Sequence, residues 1–439
     1  MMKSYLLLPL TLFLFFPISA QPFDSTKLDA YFEALETNDK FMGTVAIARN
    51  GRIFYTNSVG YQHVDKKITA TDLSQYRIGS ISKTFTATLI FKAIEDELLD
   101  LNQSIDTFFS KLENASDISI LSLLNHSSGI HNFTNDSTYV EWNTKAKSRE
   151  KMLDIIRDAG SDFSPGSNSS YSNSNYVLLS YILEDIYKMK YGEILSELIT
   201  KPLKLESTSF GNANKSYECA SYNVVTPWEM ANKTHVSVPM GAGGITSTCT
   251  DLIRFSNALF DGELVNEASL RTMKLSTGRY GCGLFKIPFY DKVAYGHTGG
   301  IDGFSSIFAY FPEEDVTYAM TSNGATYNIN DISIAALSAV FGKEYSIPEF
   351  KYFETSPDQL QQYIGTYTSE QLPLEIRVGV DENDLMAQAT GQSAIPLTAT
   401  DQHIFRFDKA GLEMVFDPSA KSMMLKQGGG EFTFTLKDD

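Results

Sequence analysis

The sequence predicts an α+β fold, in which an antiparallel sheet is flanked by helices and joined to a helical subdomain, followed by a separate small all-β barrel. Three observations carry this reading. Asn50-Gly51 near the start of the chain is a strong hairpin signal, because both turn positions want positive φ. A second hairpin pattern lies at 305–322, and helical periodicity fills the interval, which argues against a run of βαβ units. After about residue 345 the helical pattern stops, and from Gln359 onward only short alternating segments follow.

Residues 1–20 read as a signal peptide. Lys3 precedes an apolar run over 6–18, and Ile18-Ser19-Ala20 offers a small-residue cleavage site before Gln21. The run is shorter than the ~20 residues of a membrane span. The expectation is therefore export, with a soluble periplasmic or secreted chain after cleavage near Ala20 and no later membrane span.

Residues 25–36 carry an amphipathic helical pattern, and strands at 44–49 and 52–56 flank the Asn50-Gly51 turn. A helix over 80–99 puts Ile81, Phe85, Leu89, Ala93 and Ile94 on one stripe. Further helices are expected at 117–125, 149–159, 175–188, 191–200 and 249–260. Strands at 305–311 and 316–322 join across Pro312-Glu313-Glu314-Asp315, and a last helix spans 330–342. The first domain thus covers 21–345, a linker 346–358 and the second domain 359–439. In that second domain alternation is clear at 374–378, 404–407, 412–416, 423–427 and 432–436. Six to eight such strands cannot form a stable flat sheet with two free edges, so a closed barrel or tight sandwich is expected.

The chain has 439 residues, 43% of them hydrophobic and 12% aromatic, enough for large cores. Lys plus Arg number 36 against 53 Asp plus Glu, a formal charge of -17, which disfavours tracking along nucleic acid or an anionic membrane. The expected partner is a small-molecule or peptide substrate, with the oligomeric state left open. Cys219, Cys249 and Cys282 permit one disulfide and one thiol, with the pairing open. His63, His131, His235 and His403 are scattered without metal-ligand spacing, so no catalytic metal and no cofactor is expected. His126, beside a Ser-Ser-Gly turn, reads as structural. Trp142 and Trp228 suit cleft lining and plain packing equally.

Three stretches could carry chemistry. Ser80-Ile81-Ser82-Lys83 opens the first long helix, and positions i and i+3 share a face, so the Lys83 amine would stand beside the Ser80 hydroxyl. A serine needs a base to become a nucleophile, and a desolvated lysine can serve. Ser148-Arg149-Glu150-Lys151 fits the same template, but its charged neighbours suit a solvated helix face. Tyr171 and Asn173, two apart on a loop, offer a phenol for proton shuttling and an amide for gripping a substrate. Tyr295-Gly296-His297-Thr298-Gly299-Gly300 adds a titratable ring and a hydroxyl among glycines that allow close approach, just before an expected strand.

In this order the three stretches resemble the serine β-lactamase and penicillin-binding protein superfamily, with its Ser-x-x-Lys, Ser/Tyr-x-Asn and Lys/His-Thr-Gly elements. The Tyr-Ser-Asn form looks like the class C β-lactamase branch, which also holds D-alanyl-D-alanine carboxypeptidases, D-aminopeptidases and esterases. The stretches 123–130 and 241–247 are similar to that branch too. The resemblance covers roughly 25–345 and implies a β-lactamase/transpeptidase-like fold. It implies Ser80 as the acylated nucleophile, with Lys83 and Tyr171 as base and proton relay, their division of labour open. Asn173 would bond the substrate's amide, and the backbone N–H groups of Ser80 and Gly300 would form an oxyanion hole, typically ~3–4 kcal/mol per donor. His297 and Thr298, with Gly299, would line the wall that receives a carboxylate or feeds a proton to the leaving group.

His297 stands where β-lactamases proper usually carry Lys, and a mostly neutral imidazole holds a penicillin carboxylate less firmly. The weight moves to peptidase or D-amino-acid amidase activity, then to small-ester hydrolysis, with β-lactams as a side reaction. A penicillin-recognising sensor without turnover is the alternative from another class, disfavoured by intact Ser80, Lys83, Tyr171 and His297. The C-terminal barrel resembles the lipocalin-like domain appended to some of these enzymes, on the strength of Tyr363-Ile364-Gly365-Thr366-Tyr367.

Overall fold

The computed structural model describes residues 23–223, 228–275 and 280–437. The export segment expected at 1–20 lies outside them. Helix α1 (Ser25–Thr37) starts at Asp24, whose carboxylate accepts from the Lys27 amide at 3.1 Å. Its buried residues Leu28, Tyr31, Phe32 and Leu35 follow the i, i+3, i+4, i+7 stripe. Strands β1 (Phe41–Arg49) and β2 (Arg52–Val59) are joined by Asn50 and Gly51 at φ 51° and 71°, as the turn chemistry requires.

A 3-10 turn at Gly79–Ile81 leads into α2 (Ser82–Glu95), buried on every side from Ser82 to Phe91. The helix ends four residues before the expected Leu99: Glu97 turns left-handed at φ 58° and the Leu98 amide closes back onto the Ala93 carbonyl at 2.9 Å. Helices α3 (Asn173–Tyr187) and α4 (Cys249–Phe260) flank α2, and Phe85 stacks on Phe255 at 3.7 Å between ring centroids.

Strands β3 (Phe285–Phe289), β4 (Lys292–Ile301), β5 (Phe304–Phe311) and β6 (Val316–Ala325) complete an antiparallel six-stranded sheet of order β3-β4-β5-β6-β1-β2, and α5 (Ile329–Phe341) follows. Here the structure corrects the sequence reading. The His-Thr-Gly-Gly stretch does precede the expected strand, here β5, but it lies within a strand of its own, β4, that was not expected, because three glycines interrupt the alternation that reveals strands. Edge strand β3 was not expected at all, and its Pro288 is tolerated because edge strands leave backbone groups unpaired. Strand β1 is central and buried on both faces. Val45 and Ile47 join the core under α1 and α5, while Ala46 and Ala48 join the larger core under α2, α3 and α4.

The C-terminal region is a closed antiparallel barrel of eight strands: β7 (Gly365–Thr368), β8 (Glu375–Asp381), β9 (Asp384–Ala389), β10 (Ile395–Asp401), β11 (Ile404–Phe407), β12 (Leu412–Asp417), β13 (Ser422–Gln427) and β14 (Gly430–Leu436). Closure removes both sheet edges. Its core, with Tyr363, Phe405, Phe416 and Phe434, is distinct from the two cores of the preceding domain. Among the described residues no helix is long and apolar enough to cross a membrane.

Candidate active site

The sharp turn before α2 presents Ser80. Gly79 has φ 49°, and a Cβ there would come within 2.7 Å of the Gly300 nitrogen, so β4 and the serine turn touch only because the residue is glycine. Ser80 is half-buried, and Lys83, one turn further, is fully buried. The Lys83 Nζ donates to Ser80 Oγ at 3.1 Å, to Asn173 Oδ1 at 2.7 Å and to the Ala242 carbonyl at 2.7 Å. Among the described residues no carboxylate pairs with it, and burial holds its pKa well below the ordinary lysine value.

Tyr171 precedes α3. Burial raises the pKa of its hydroxyl above the ordinary 10.0, and the nearby Ser80 side chain offsets part of that rise. Lys83 Nζ lies 4.8 Å from the Tyr171 ring centroid. The His126 ring packs on Tyr171 at 4.5 Å, and His126 Nδ1 accepts from the Ser172 amide at 3.2 Å, which pins the loop that carries the phenol. Asn173 is the first residue of α3. Its amide N–H donates to Asn132 Oδ1 at 3.0 Å and its Nδ2 to Thr134 Oγ1 at 3.0 Å, so the carboxamide that accepts from Lys83 keeps one N–H for another partner.

His297 is buried beside this cluster, its ring stacked on Phe285 at 4.1 Å and 6.5 Å from that of Tyr171. Nδ1 lies 2.5 Å from the Thr298 carbonyl, which can only accept, so Nδ1 carries the hydrogen. Nε2 is then a bare acceptor, buried with no hydrogen-bond partner. Burial first and the Lys83 charge second push the His297 pKa down to about 3. Strand alternation turns Thr298 outward, where it is exposed. Gly299 is clasped against the preceding turn: a Cβ there would meet the Ile78 carbonyl oxygen at 2.0 Å. Gly300 lies across from Ser80 on a cavity of about 390 Å³ that Asn173, Thr134, Thr234 and Asp302 also line.

Thr298 and Gly299 do not line that cavity, nor do Trp142 and Trp228; Trp142 packs against Phe133 and Tyr139. Ser148 of the second Ser-x-x-Lys match caps the helix Arg149–Ala159, its hydroxyl accepting from the Lys151 amide at 3.2 Å. Cys219, Cys249 and Cys282 are buried and free. Several participants escaped the sequence reading. The Ala242 carbonyl is invisible to side-chain motifs, although the 241–247 stretch that supplies it was singled out. The buried Arg77–Asp302 pair, 2.6 Å, spans residues far apart in the chain; Thr234 donates its amide and hydroxyl to Asp302 Oδ1 at 3.1 and 2.6 Å. The only cue was an Asp-Gly turn directly after β4.

Residues 28–340 match the family model described as Beta-lactamase. Penicillin-binding protein 4* of Bacillus subtilis (strain 168) is 26% identical over 442 residues, covering 92% of this chain and 97% of that protein. Among solved structures, a D-stereospecific amidohydrolase from Streptomyces sp. superposes with a TM-score of 0.58 at 26% identity, covering 68% of this chain and 94% of that one. The octameric penicillin-binding protein homologue from Pyrococcus abyssi gives 0.66 at 22% identity over 93% of this chain and 100% of its own, a likeness of fold that extends into the barrel.

Proposed function

This chain belongs to the beta-lactamase family, whose relatives include penicillin-binding proteins and D-amino acid amidases, and on that premise we propose that it is an exported serine hydrolase that acylates Ser80 with amide or ester substrates. One observation carries the reading: a fully buried lysine without a carboxylate partner stands 3.1 Å from the Ser80 hydroxyl. Burial favours its neutral amine. In that neutral form two hydrogens of the amine serve Asn173 Oδ1 and the Ala242 carbonyl, which leaves its lone pair for Ser80 and reverses the donation that the charged form makes to Oγ.

In the proposed reaction Lys83 takes the Ser80 proton as Oγ attacks the substrate carbonyl. The Ser80 and Gly300 amides stabilise the oxyanion. The proton passes by way of Tyr171 to the leaving nitrogen or oxygen, which departs, and water attacking from the same side releases the acid and restores Ser80. Asn173 offers its remaining N–H to the acyl chain. His297 acts as a neutral acceptor rather than as an acid: with a pKa of about 3 the ring lacks its second proton at pH 7, and the one it keeps is held on Nδ1 by the Thr298 carbonyl. A site without a fixed cation at that position favours amide and ester turnover over penicillins, and the D-stereospecific amidohydrolase among the structural relatives supports D-aminoacyl amides as the first substrates to try. Export rests on the 1–20 segment.

The test is intact-protein mass spectrometry after exposure to a fluorophosphonate, followed by turnover assays on D- and L-aminoacyl amides, short esters and a chromogenic cephalosporin. The expected result is one adduct on Ser80, absent from Ser80→Ala and present in Ser148→Ala, with amides or esters hydrolysed. A lasting penicilloyl adduct without turnover would instead identify a penicillin-binding sensor.

A further inference from the structure

The cavity at Ser80 adjoins a second cavity of about 320 Å³, and Asp302 and Asn223 line both. The walls of the second mix polar side chains, Ser305 and Asn328 among them, with apolar ones such as Phe304 and Ile329, and one wall comes from the barrel: Lys409, in the 3-10 turn Asp408–Ala410. That turn is clamped to the preceding domain. Asp408 pairs with Lys40 at 2.7 Å, and Gly411 packs so tightly that a Cβ would meet Asp331 Oδ2 at 3.0 Å and Asn328 Nδ2 at 3.1 Å. Lys409 itself is exposed and has no ion-pair or hydrogen-bond partner among the described residues.

The other charged groups on this path cancel. Asp302 is neutralised by Arg77 on Oδ2, and its Oδ1 accepts twice from Thr234, which makes it a poor receptor for a substrate ammonium. Among the described residues Lys409 is the one cationic side chain on the walls of the two adjoining cavities, in a chain whose net charge is -17. An anion held there gains attraction that the overall field of the protein would otherwise deny it. We propose that the seam between the two domains is an acyl-side subsite, in which Lys409 binds the terminal carboxylate of substrates whose acyl chain extends from Ser80 past Asp302. The barrel thereby sets substrate charge selectivity. The inference rests on the hydrolase reading above and names the substrate class of that site: amides and esters of acids bearing a distal carboxylate.

The test compares matched p-nitrophenyl esters of the same chain length, one ending in a free carboxylate (a glutarate or adipate monoester) and one in its methyl ester. The readout is the ratio of kcat/KM, anionic over neutral, within each variant, so that any general loss of rate cancels. An exposed lysine–carboxylate pair supports a preference of about two- to fivefold. That preference should vanish in Lys409→Ala and invert in Lys409→Glu, and it should weaken in Lys40→Ala, which unclamps the turn. Equal ratios in all four proteins would overturn the subsite and leave the hydrolase standing. If no ester acylates Ser80, the hydrolase reading falls. The subsite is then judged by calorimetric titration of Ser80→Ala and Ser80→Ala/Lys409→Glu with glutaric acid monoamide and its methyl ester, where equal binding by both proteins overturns it.

Discussion

Among the described residues Lys83 has no counter-charge, so its environment chooses its protonation state. Because burial lowers its pKa below the ordinary 10.5, the basic form dominates above a depressed midpoint and is lost as pH falls through it. The rate of Ser80 labelling by a fluorophosphonate should therefore rise with pH through that midpoint. Lys83→Arg keeps the charge and much of the length but never deprotonates at working pH. It should slow labelling by ~10²–10⁴-fold and abolish the rising limb; an Arg variant with the same pH limb would remove Lys83 from the role of base. His297 makes a separate prediction about stability. Its ordinary value of 6.5 drops to about 3 in the fold, so below pH 6.5 the unfolded chain takes up a proton that the native ring refuses. The stabilisation is full above pH 6.5 and drains away between 6.5 and 3, roughly 2 to 3 kcal/mol by pH 4.5. Urea denaturation at pH 7.5 and 4.5 should show a smaller acid penalty in His297→Gln than in the parent. His126, also buried with a depressed pKa, acts in the same direction and should retain its share in that variant.

At the scale of elements, the site depends on how closely β4 meets the turn before α2. Gly299 under the Ile78 carbonyl and Gly79 against Gly300 fix where the Gly300 amide sits relative to Ser80. Gly299→Ala drives a methyl into backbone that cannot yield locally, so the strand must shift, at about 1–3 kcal/mol for an overpacked contact. Thermal unfolding should record that loss and fluorophosphonate labelling should slow. Gly379→Ala on β8, where nothing lies within 4 Å, should change neither; equal behaviour of the two variants would mean that the contact does not hold the site. The same seam shows what sequence could and could not disclose. The Asn50-Gly51 hairpin, the helix at 149–159 and the strands around 305–322 were legible because turn chemistry and periodicity are local. So was the pairing of Ser80 with Lys83, which one helical turn dictates. Strand β4 was not, since glycines erase alternation in the segment where close approach matters most. The Ala242 carbonyl and the Arg77–Asp302 pair were hidden for another reason: both are made by residues more than 150 positions apart in the chain, and no local pattern encodes such a contact.

For the molecule as a whole, the separation of cores decides how it should unfold. The barrel's core around Phe405, Phe416 and Phe434 shares no cluster with the sheet cores, and the domains meet mainly through small polar contacts such as Lys40–Asp408. A part-exposed pair of that kind contributes about 1 kcal/mol at most, too little to fuse two cores into one cooperative unit. The barrel's closing seam is also short: among the described residues Tyr367 lies opposite Leu436 and Thr368 opposite Thr435, and the Lys437 amide adds a bond to the Thr366 carbonyl at 2.8 Å. Calorimetry should therefore resolve two transitions. Phe434→Ala, which removes a fully buried ring next to the seam residue Thr435, costs about 3–5 kcal/mol by the usual large-to-small rule and should lower one transition while leaving the other within a degree or two. Between the two transitions Ser80 should still react with a fluorophosphonate, since every group within hydrogen-bonding distance of its hydroxyl belongs to the first domain. A single transition that moves as a unit, with labelling lost at the same temperature, would mean that the barrel is part of the catalytic domain's own stability.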